Sequence, residues 1–308
     1  MSIQTILQRD SRLLQTSLDL DSSSARIEVQ CLLQEVLKVN RAYLLTHPER
    51  ELNADEAARY SKLFDRRLQG EPIAYLLERR EFFGLNFKVS PATLIPRPDT
   101  ELLVELALQK TPSPQPSGGT ISQSTKSASG QVAGYPVNGR GSFFRVLDMG
   151  TGSGAIALAI AYARPDVEVV AVDASEAALI VAKFNAQALK VHNARLLHSD
   201  WFTALADERF DLIVSNPPYI EADDVHLSQG DVRFEPLTAL ASGSDGLDDI
   251  RRISSQAKGH LNNGGWLMLE HGYNQAAHVR DLLQRAGFAE VSSHRDMSGI
   301  ERVTMGRT

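Results

Sequence analysis

The sequence predicts an α/β protein whose larger part is a doubly wound, mostly parallel sheet, preceded by a small helical domain. Apolar residues recur at helical spacing over about the first 75 positions. Beyond residue 141, short apolar strands alternate with helical segments, which is the pattern of βαβ units with parallel strands. We therefore expect a helical N-terminal domain at 1–80, a hairpin or linker at 81–98 and the sheet domain at 99–308.

Two amphipathic helices are predicted in the first domain. Apolar residues at i, i+3, i+4 and i+7 mark the buried face of the first helix: Val29, Leu32, Leu33 and Val36. The second helix covers Ala54–Gln69, where Asn53 and Glu56 have the spacing of a capping box and Gly70 stands just past the end. Nothing in these residues suggests chemistry, so a small helical bundle with solvated charged faces is expected.

Between the helical and sheet parts, the pattern changes twice. Apolar residues interrupted by glycine and proline over Glu81–Ile95 predict a hairpin, and a helix is expected at Asp99–Lys110, capped by Asp99 or Thr100. The stretch 111–141 is rich in Gly, Ser and Pro and carries only two charged residues. Such a composition cannot bury enough apolar area to offset its ordering entropy, so a flexible surface insertion is predicted.

The rest of the chain alternates between strands and helices. Strands are predicted at Phe143–Met149, Val167–Val172, Ala194–His198, Phe210–Ser215, Gly265–Glu270 and Val303–Gly306. Helices are predicted at Ala155–Ala163, Ala174–Leu189 and Gln275–Ala286. In sheets of this kind, ligands bind beyond the carboxyl ends of the strands, and candidate site residues are expected there.

The composition restricts the classes of function. A net charge of −6 disfavours a globally basic nucleic-acid binder. Cys31 is the only cysteine, which excludes an internal disulfide and CxxC metal sites, and the histidines lack metal-ligand spacing, so no metal is predicted. The longest apolar run, Gly154–Ala163, is half the roughly 20 residues of a membrane span, and Met1–Leu20 has no signal-peptide core. A cytoplasmic protein is therefore expected.

A glycine-rich loop lies between the first predicted strand and helix of the sheet domain. Glycines permit a tight turn and the close approach of a ligand to the backbone, and the helix N-terminus offers unpaired N–H donors. Several nucleotide cofactors use such loops, so the loop alone does not choose among them. The candidate cofactor-binding residues here are Gly150, Thr151, Gly152, Ser153 and Gly154.

Polar residues also follow the next two predicted strands. Asp173 stands 21 residues after Gly152, where a carboxylate can accept hydrogen bonds from both ribose hydroxyls. Asp200 and Trp201 follow the third strand and are suited to bond and stack on an adenine ring. Because the carboxyl ends of parallel strands share one edge, these residues together predict a nucleoside site.

The residues that follow the strand Phe210–Ser215 indicate the reaction. The Asn216 side-chain oxygen and a carbonyl held rigid by Pro217 and Pro218 can accept two hydrogen bonds from a planar NH2 group. Proline has no N–H, so it brings no competing donor. Tyr219 offers a flat wall for a planar amide or base.

These motifs resemble those of the S-adenosylmethionine-dependent amino-methyltransferases, which methylate exocyclic base nitrogens or the side-chain amide of glutamine. The match extends to the protein (glutamine-N5) methyltransferases that act on peptide-chain release factors. Further segments similar to that family are Glu71–Leu76, Arg80–Gly84, Leu94–Glu101, Gly230–Pro236 and Leu269–Gly272. The resemblance covers essentially the whole chain except 111–141.

The resemblance implies a Rossmann-like methyltransferase fold and methyl transfer from S-adenosylmethionine to the Gln of the Gly-Gly-Gln loop in class-one release factors. It assigns Gly150–Gly154, Asp173, Trp201 and Asn216 to the cofactor. It assigns Asn216–Tyr219 to the glutamine. Asn216 and Pro217 are the candidate catalytic residues, because their carbonyl oxygens can accept the two N–H groups of the amide. The helical domain is expected to help dock the release factor, and neither a membrane nor a nucleic acid is an expected partner.

Other functions remain open at this point. A nucleic-acid adenine-N6 methyltransferase uses the same NH2 chemistry, although the acidic total and the missing basic stripe count against it. A glutamine methyltransferase of a ribosomal protein differs only in its partner. A nicotinamide-dependent dehydrogenase or a non-catalytic nucleoside-binding regulator leaves Asn216–Tyr219 unexplained. Glu270 and His271 could be an acid–base pair, but a packed, hydrogen-bonded turn is expected there.

Overall fold

The computed structural model describes residues 1–112 and 144–308, which form two compact units. The first unit comprises Met1–Arg79, Val89–Pro91 and Val225–Glu235, and the second comprises Arg80–Lys88, Ala92–Asp224 and Pro236–Thr308. The first unit thus takes in two short segments from beyond its helical part. Apart from its first two residues, the predicted insertion at 111–141 lies outside the described residues, as does Phe143, the start of a predicted strand.

The first unit is a bundle of helices. They are α1 (Ile3–Leu18), α2 (Ser22–Leu37), α3 (Arg41–Thr46), α4 (Ala54–Leu68) and α5 (Ile73–Leu76). The predicted apolar face of α2 is buried and packs against α1 and α4. The predicted capping box is confirmed, because the Glu56 N–H donates to the Asn53 side chain at 2.9 Å and the Asn53 N–H donates to the Glu56 carboxylate at 3.0 Å.

A buried guanidinium ties the late segment Val225–Glu235 to the helices of the first unit. The Arg67 side chain, on α4, is only 3% exposed. It donates to both carboxylate oxygens of Glu28 on α2, at 2.6 and 3.1 Å, and to Asp231 at 3.0 Å. A buried charge is stable only when it is paired, so these two carboxylates make Arg67 compatible with its position.

The second unit contains the predicted sheet. A hairpin of β1 (Arg79–Phe82) and β2 (Leu85–Lys88) precedes α6 (Glu101–Lys110). The sheet strands are β3 (Arg145–Met149), β4 (Glu168–Asp173), β5 (Ala194–His198), β6 (Phe210–Ser215), β7 (Leu261–Glu270), β8 (Ala289–Arg295) and β9 (Glu301–Arg307). The helices between them are α7 (Ala155–Ala163), α8 (Glu176–Ala188), α9 (Asp248–Ala257) and α10 (Ala276–Arg285).

The order of the sheet strands is β5-β4-β3-β6-β7-β9-β8. The strands from β5 to β7 in this order pair in parallel, whereas β9 is antiparallel to both of its neighbours. Since the order reverses at β3, chain connections lead away from it in both directions. The predicted doubly wound, mostly parallel sheet is confirmed.

The sheet is packed on both faces, which fixes the ends of its strands. Successive residues of β3 point into different cores: Val146 into one and Leu147 into the other. In register, Met149 at the end of β3 lies beside Val172 of β4 and Ser215 of β6. The carboxyl ends of these three strands are therefore level, and the residues that follow them share one edge.

Neither β8 nor α9 is among the predicted elements. Most residues of β8 are exposed or half-buried, so the strand lacks a clear apolar alternation. Helix α9 is polar apart from a narrow buried stripe that includes Ile250 and Ile253. Other boundaries differ by a few residues, as at β7, which begins at Leu261 rather than Gly265. Within the two described ranges, no helix combines the length and apolarity needed to cross a membrane.

Candidate functional site

A cavity of about 400 Å³ lies at the carboxyl edge of the sheet, within the second unit. Its walls come from the loops after β3 to β6, the segment before α6 and the helix α9. The predicted site residues that line it are Gly150, Gly152, Asp173, Asp200, Trp201, Asn216 and Pro218. Small-molecule sites have volumes of roughly 300–1,000 Å³, so this cavity can hold a ligand of nucleoside size.

The loop after β3 turns sharply on three glycines. Their φ values are +71° at Gly150, +55° at Gly152 and +85° at Gly154, in the left-handed region that favours glycine. The N–H groups of Gly150 and Thr151 both donate to the carbonyl of Val172, at 2.9 and 3.0 Å. The loop is therefore hydrogen-bonded to β4, and its glycines, which have no side chains, leave the backbone open to a ligand.

The buried carboxylate of Asp148 supports the same loop. Its Oδ2 accepts from the Thr151 hydroxyl at 2.7 Å and from the Ala157 N–H at 3.1 Å, so it joins the loop to the first turn of α7. Burial raises the pKa of Asp148 to about 7. Ser153 is also buried, and its carbonyl accepts from the Asn185 amide at 2.8 Å. Thr151 and Ser153 thus stabilise the loop from behind.

Asp173 ends β4 at the cavity. Its Oδ2 accepts from the Gly152 N–H and its Oδ1 accepts from the Ser175 N–H, both at 2.8 Å. A carboxylate has about four lone-pair sites, so each oxygen can accept one further hydrogen bond. Burial raises the pKa of this carboxyl, and the two N–H donors oppose that shift. The side chain is therefore fixed and still able to accept hydroxyl groups.

The residues after β5 line the cavity together with α9. Trp201 has φ +51°, and its indole N–H donates to Asp249 at 3.2 Å. Its ring lies over Gly150, where a Cβ would be 3.6 Å from the nearest ring carbon. Asp200 forms a bidentate ion pair with Arg252 at 2.7 and 2.9 Å. Neither Asp249 nor Arg252 is among the predicted site residues, because α9 is not predicted.

Asn216 follows β6 and presents an unpaired oxygen. Its Nδ2 donates to the hydroxyl oxygen of Thr100 at 3.2 Å and to the carboxylate of Glu270. Its Oδ1 is buried and has no hydrogen-bond partner among the described residues. Leaving a buried acceptor unpaired costs about 1–3 kcal/mol. Asp148 Oδ1 and Glu270 Oε2 are also unpaired in the described part of the chain, but of the three only Asn216 lines the cavity, so its oxygen can accept from an N–H of a ligand there.

Glu270 lies beside Asn216 because β6 and β7 are adjacent parallel strands. Its carboxyl is buried, and burial raises its pKa to about 7, whereas hydrogen bonding from Thr100 and Asn216 lowers it. Its Oε2 has no partner among the described residues. His271 is also buried, with its Nε2 at 2.8 Å from the Thr304 hydroxyl. The expected packed, hydrogen-bonded turn is present, but the contact between Glu270 and Asn216 is not among the expectations.

Hydrogen bonds from two further segments fix the backbone of the Pro-Pro-Tyr segment. The Tyr219 N–H donates to the Leu240 carbonyl at 3.1 Å, and the Tyr219 carbonyl accepts from Gln275 at 2.9 Å. Pro217 is buried, whereas Pro218 lines the cavity. Burial raises the pKa of the Tyr219 hydroxyl above its ordinary range, so it stays protonated at neutral pH. The two hydrogen bonds therefore hold the backbone of Tyr219 in place.

The predicted site residues thus divide into those that line the cavity and those that support it. The supporting residues, which are outside the lining, are Thr151, Ser153, Gly154, Pro217 and Tyr219. The lining also includes residues without any sequence motif, among them Thr93, Ser175, Thr238, Asp249 and Arg252. In the described part of the chain, no three His, Cys, Asp or Glu side chains are arranged to hold a metal ion. The absence of a metal stays a prediction.

Comparisons with known proteins cover both units. Two family models match: the PrmC N-terminal domain at residues 10–77 and the Methyltransferase small domain at residues 138–232. The release factor glutamine methyltransferase of Salmonella typhimurium is 46% identical over 287 residues, 93% of this chain and 94% of that protein. That of Escherichia coli is 46% identical over 286 residues, 93% of each chain. That of Pseudomonas aeruginosa is 47% identical over 287 residues, 93% of this chain and 94% of that protein.

Proposed function

Because the chain belongs to the family of release factor glutamine methyltransferases, we propose that it transfers a methyl group from S-adenosylmethionine to a glutamine side-chain nitrogen of a peptide-chain release factor. The target proposed within that partner is the Gln of the Gly-Gly-Gln loop. One observation carries the proposal: the buried Oδ1 of Asn216 lacks a partner among the described residues, and Asn216 lines the cavity. The NH2 group of an amide has the donors that this acceptor needs.

The cavity residues fit S-adenosylmethionine. Asp173 keeps acceptor capacity for the ribose hydroxyls, and Gly150 and Gly152 allow a ligand to approach the backbone. Trp201 provides an aromatic face for the adenine. The carboxylate of Asp200 is proposed to contact the adenine while paired with Arg252. When bound, S-adenosylmethionine supplies an electrophilic methyl group on a sulfonium.

The proposed mechanism rests on two fixed acceptors. An amide nitrogen is a weak nucleophile because its lone pair is delocalised into the carbonyl, and methyl transfer brings positive charge onto it. In this proposal the two N–H groups of the amide donate hydrogen bonds to Asn216 Oδ1 and to the Pro217 carbonyl, and Tyr219 flanks the amide plane, although Pro217 and Tyr219 are outside the lining of the cavity. These dipoles orient the nitrogen and stabilise the developing charge, each by roughly 3–4 kcal/mol when well aimed. The methylated amide loses its proton readily, so no strong base is assigned.

Adenine presents the same NH2 group, so nucleic acid is the rival substrate, and a ribosomal protein is a rival protein partner. The net charge of −6 favours a protein over a nucleic acid, because binding to a phosphate backbone depends on Lys and Arg contacts. The location proposed is the cytoplasm, since translation termination takes place there.

The proposal is tested with labelled S-adenosylmethionine and, in separate reactions, a class-one release factor, ribosomal proteins and duplex DNA. Mass spectrometry is expected to find one methyl group on one Gln of the release factor, and none after that Gln is replaced by Asn. Label only in DNA or in a ribosomal protein would refute the proposal. Calorimetry tests the cofactor separately, with S-adenosylhomocysteine expected to bind and NAD expected not to bind.

A further inference from the structure

Asn216, Thr100 and Glu270 form a set of neighbouring polar side chains beside the cavity. Asn216 Nδ2 donates to Thr100 Oγ1 at 3.2 Å. The Glu270 carboxyl lies beside them because β6 and β7 end level, and hydrogen bonding from Thr100 and Asn216 lowers its pKa, while its Oε2 has no partner among the described residues. An amide nitrogen carries two hydrogens, so this set uses both of its donors. The oxygen of the same amide has no partner among the residues described.

This set favours one of the two orientations of the Asn216 amide. Rotating the amide by half a turn would place Oδ1 against the Glu270 carboxylate, which has no proton to donate when it is ionised. Glu270 is only 2% exposed, so water would not screen the repulsion between the two acceptors. The observed orientation also places a negative charge on the N–H side of the amide, which polarises it and strengthens its oxygen as an acceptor.

We propose that Glu270 is a positioning residue for methyl transfer, which together with Thr100 holds the Asn216 amide with its oxygen towards the substrate nitrogen. The inference deepens the proposed function and rests on it. Thr100 directly precedes α6 and Glu270 ends β7, so both groups belong to elements other than the segment they orient. Glu270 is a buried residue of the packed sheet, and Thr100 is buried at the start of α6.

The charge of Glu270 gives this role a pH signature. Burial raises the pKa of the carboxyl to about 7. The negative charge of Asp99 also raises this pKa, whereas hydrogen bonding from Thr100 and Asn216 and the positive charge of Arg302 lower it. Tyr219 also faces this carboxyl and stays protonated. Above about pH 7 the carboxylate only accepts, whereas below it the acid can donate to a rotated Asn216 oxygen. The rate constant of methyl transfer is therefore expected to fall below that pH.

Single-turnover kinetics at saturating cofactor and release factor test the role. Glu270→Ala is expected to lower the rate constant of methyl transfer about 10- to 100-fold, as for the loss of one hydrogen bond to a charged group. Calorimetry is expected to give an unchanged Kd for S-adenosylhomocysteine. Thr100→Val removes the hydroxyl of the same set and is expected to lower the rate constant as well. If Glu270→Ala does not fold, the rate constant of Thr100→Val tests the positioning role instead.

Thr304→Val is the matched control. It also removes a buried threonine hydroxyl, but that hydroxyl bonds His271 and Ser293 instead of Asn216. We expect a lower Tm and a wild-type rate constant for methyl transfer. A comparable fall in rate for this variant would show that loosening the sheet is sufficient, which would contradict a specific positioning role.

A double variant separates positioning from packing. If Glu270 acts through Asn216, Glu270→Ala should lower the rate constant no further in the Asn216→Ala background. Glu270→Gln keeps a carbonyl acceptor but adds N–H donors. At every pH, this variant should therefore have the rate constant that the wild type has below about pH 7. Its rate constant should not change between acid and neutral pH. Persistence of the pH dependence in Glu270→Gln would assign it to another group and overturn the proposed role of the charge.

Two results overturn the positioning role. One is that Glu270→Ala lowers the rate constant as much in the Asn216→Ala background as in the wild type. The other is a wild-type rate constant in both Glu270→Ala and Thr100→Val. Failure of the proposed function is recognised separately, because the wild-type protein itself would then leave the release-factor glutamine unmethylated.

Discussion

The β4 side and the β6 side of the cavity treat their polar groups differently. On the β4 side, each oxygen of Asp173 already accepts a backbone N–H at 2.8 Å. On the β6 side, the nitrogen of Asn216 is bonded within the protein, whereas its oxygen has no partner among the described residues. Both side chains follow strands that end at the same sheet edge, yet both oxygens of Asp173 are bonded before a ligand binds, whereas the oxygen of Asn216 is not.

This difference indicates which step each side controls. A group that is already bonded keeps the binding surface in one conformation. The contacts that it makes with a ligand are the same in the bound state and in the transition state, so it acts mainly on the affinity for the ligand. An unpaired acceptor aimed at the place where charge develops acts mainly on the rate of the reaction. We therefore expect changes on the β6 side to appear in kcat and changes on the β4 side to appear in Kd.

Asn216→Ala is expected to have the largest effect, on kcat. Loss of one fixed dipole at a developing charge lowers kcat about 10²- to 10³-fold. The Kd of S-adenosylhomocysteine should change much less, because Asp173 and the glycine loop remain. Steady-state kinetics and calorimetry on the same preparation check both values. A wild-type kcat would remove the contrast between the two sides.

Asp173→Ala is expected to change the Kd of S-adenosylhomocysteine and to leave kcat nearly unchanged. It removes a charged acceptor and releases two backbone N–H groups, and hydrogen bonds to charged groups are worth about 1.5–3 kcal/mol each, so Kd should rise about 10- to 100-fold or more. At saturating cofactor, kcat should stay close to wild type. Calorimetry that gave an unchanged Kd would rule out the ribose assignment.

Gly154→Ala is expected to destabilise the β4 side without touching a ligand. The residue has φ +85°, and an added Cβ would lie 2.9 Å from Leu158 Cδ1 and 3.3 Å from the Cβ of Ala182. Backbone strain and overpacking together should lower the free energy of unfolding by about 2–4 kcal/mol. Urea unfolding measures this change.

Gly152→Ala is the control for Gly154→Ala, because its φ is also positive but an added Cβ meets nothing within 4 Å. It should show only the strain, about 1–2 kcal/mol. Equal losses in the two variants would show that crowding at Gly154 contributes nothing.

Arg252→Ala is expected to have the smallest effect. It breaks the ion pair with Asp200, in which the side chains are 40% and 56% exposed, and exposed pairs contribute about 0–1 kcal/mol. The Kd of S-adenosylhomocysteine should therefore change by less than about fivefold. If Arg252→Ala raised this Kd as much as Asp173→Ala does, solvent exposure would not explain a difference between the carboxylates of Asp173 and Asp200.

Much of the fold could be predicted because its strands carry their own signal. Strands such as β4 and β6 are short apolar runs flanked by turn residues, and the glycines of the β3 loop are required by its positive φ values. The edge strand β8 and the helix α9 gave no such signal, since β8 has no buried residue and α9 is polar apart from a narrow buried stripe. Their formation depends on tertiary contacts that no local pattern records.

The site divides in the same way. Asp173 and Asn216 could be predicted because each directly follows a recognisable strand. The contact between Glu270 and Asn216 could not, because it requires that β6 and β7 be neighbours and end level. Thr100 is 116 residues from Asn216 in the chain, so only the folded sheet brings their side chains together.

The segment Val225–Glu235 begins six residues after Tyr219 but belongs by its contacts to the helical unit. Its Asp231 pairs with Arg67, whose side chain is 3% exposed. A recombination event that exchanged only residues 1–79 with a distant homologue would replace Arg67 and Glu28 together and leave Asp231 facing a foreign sequence. The ion pair between the helices and this distant loop survives such an exchange only if the incoming segment carries an arginine at the same position.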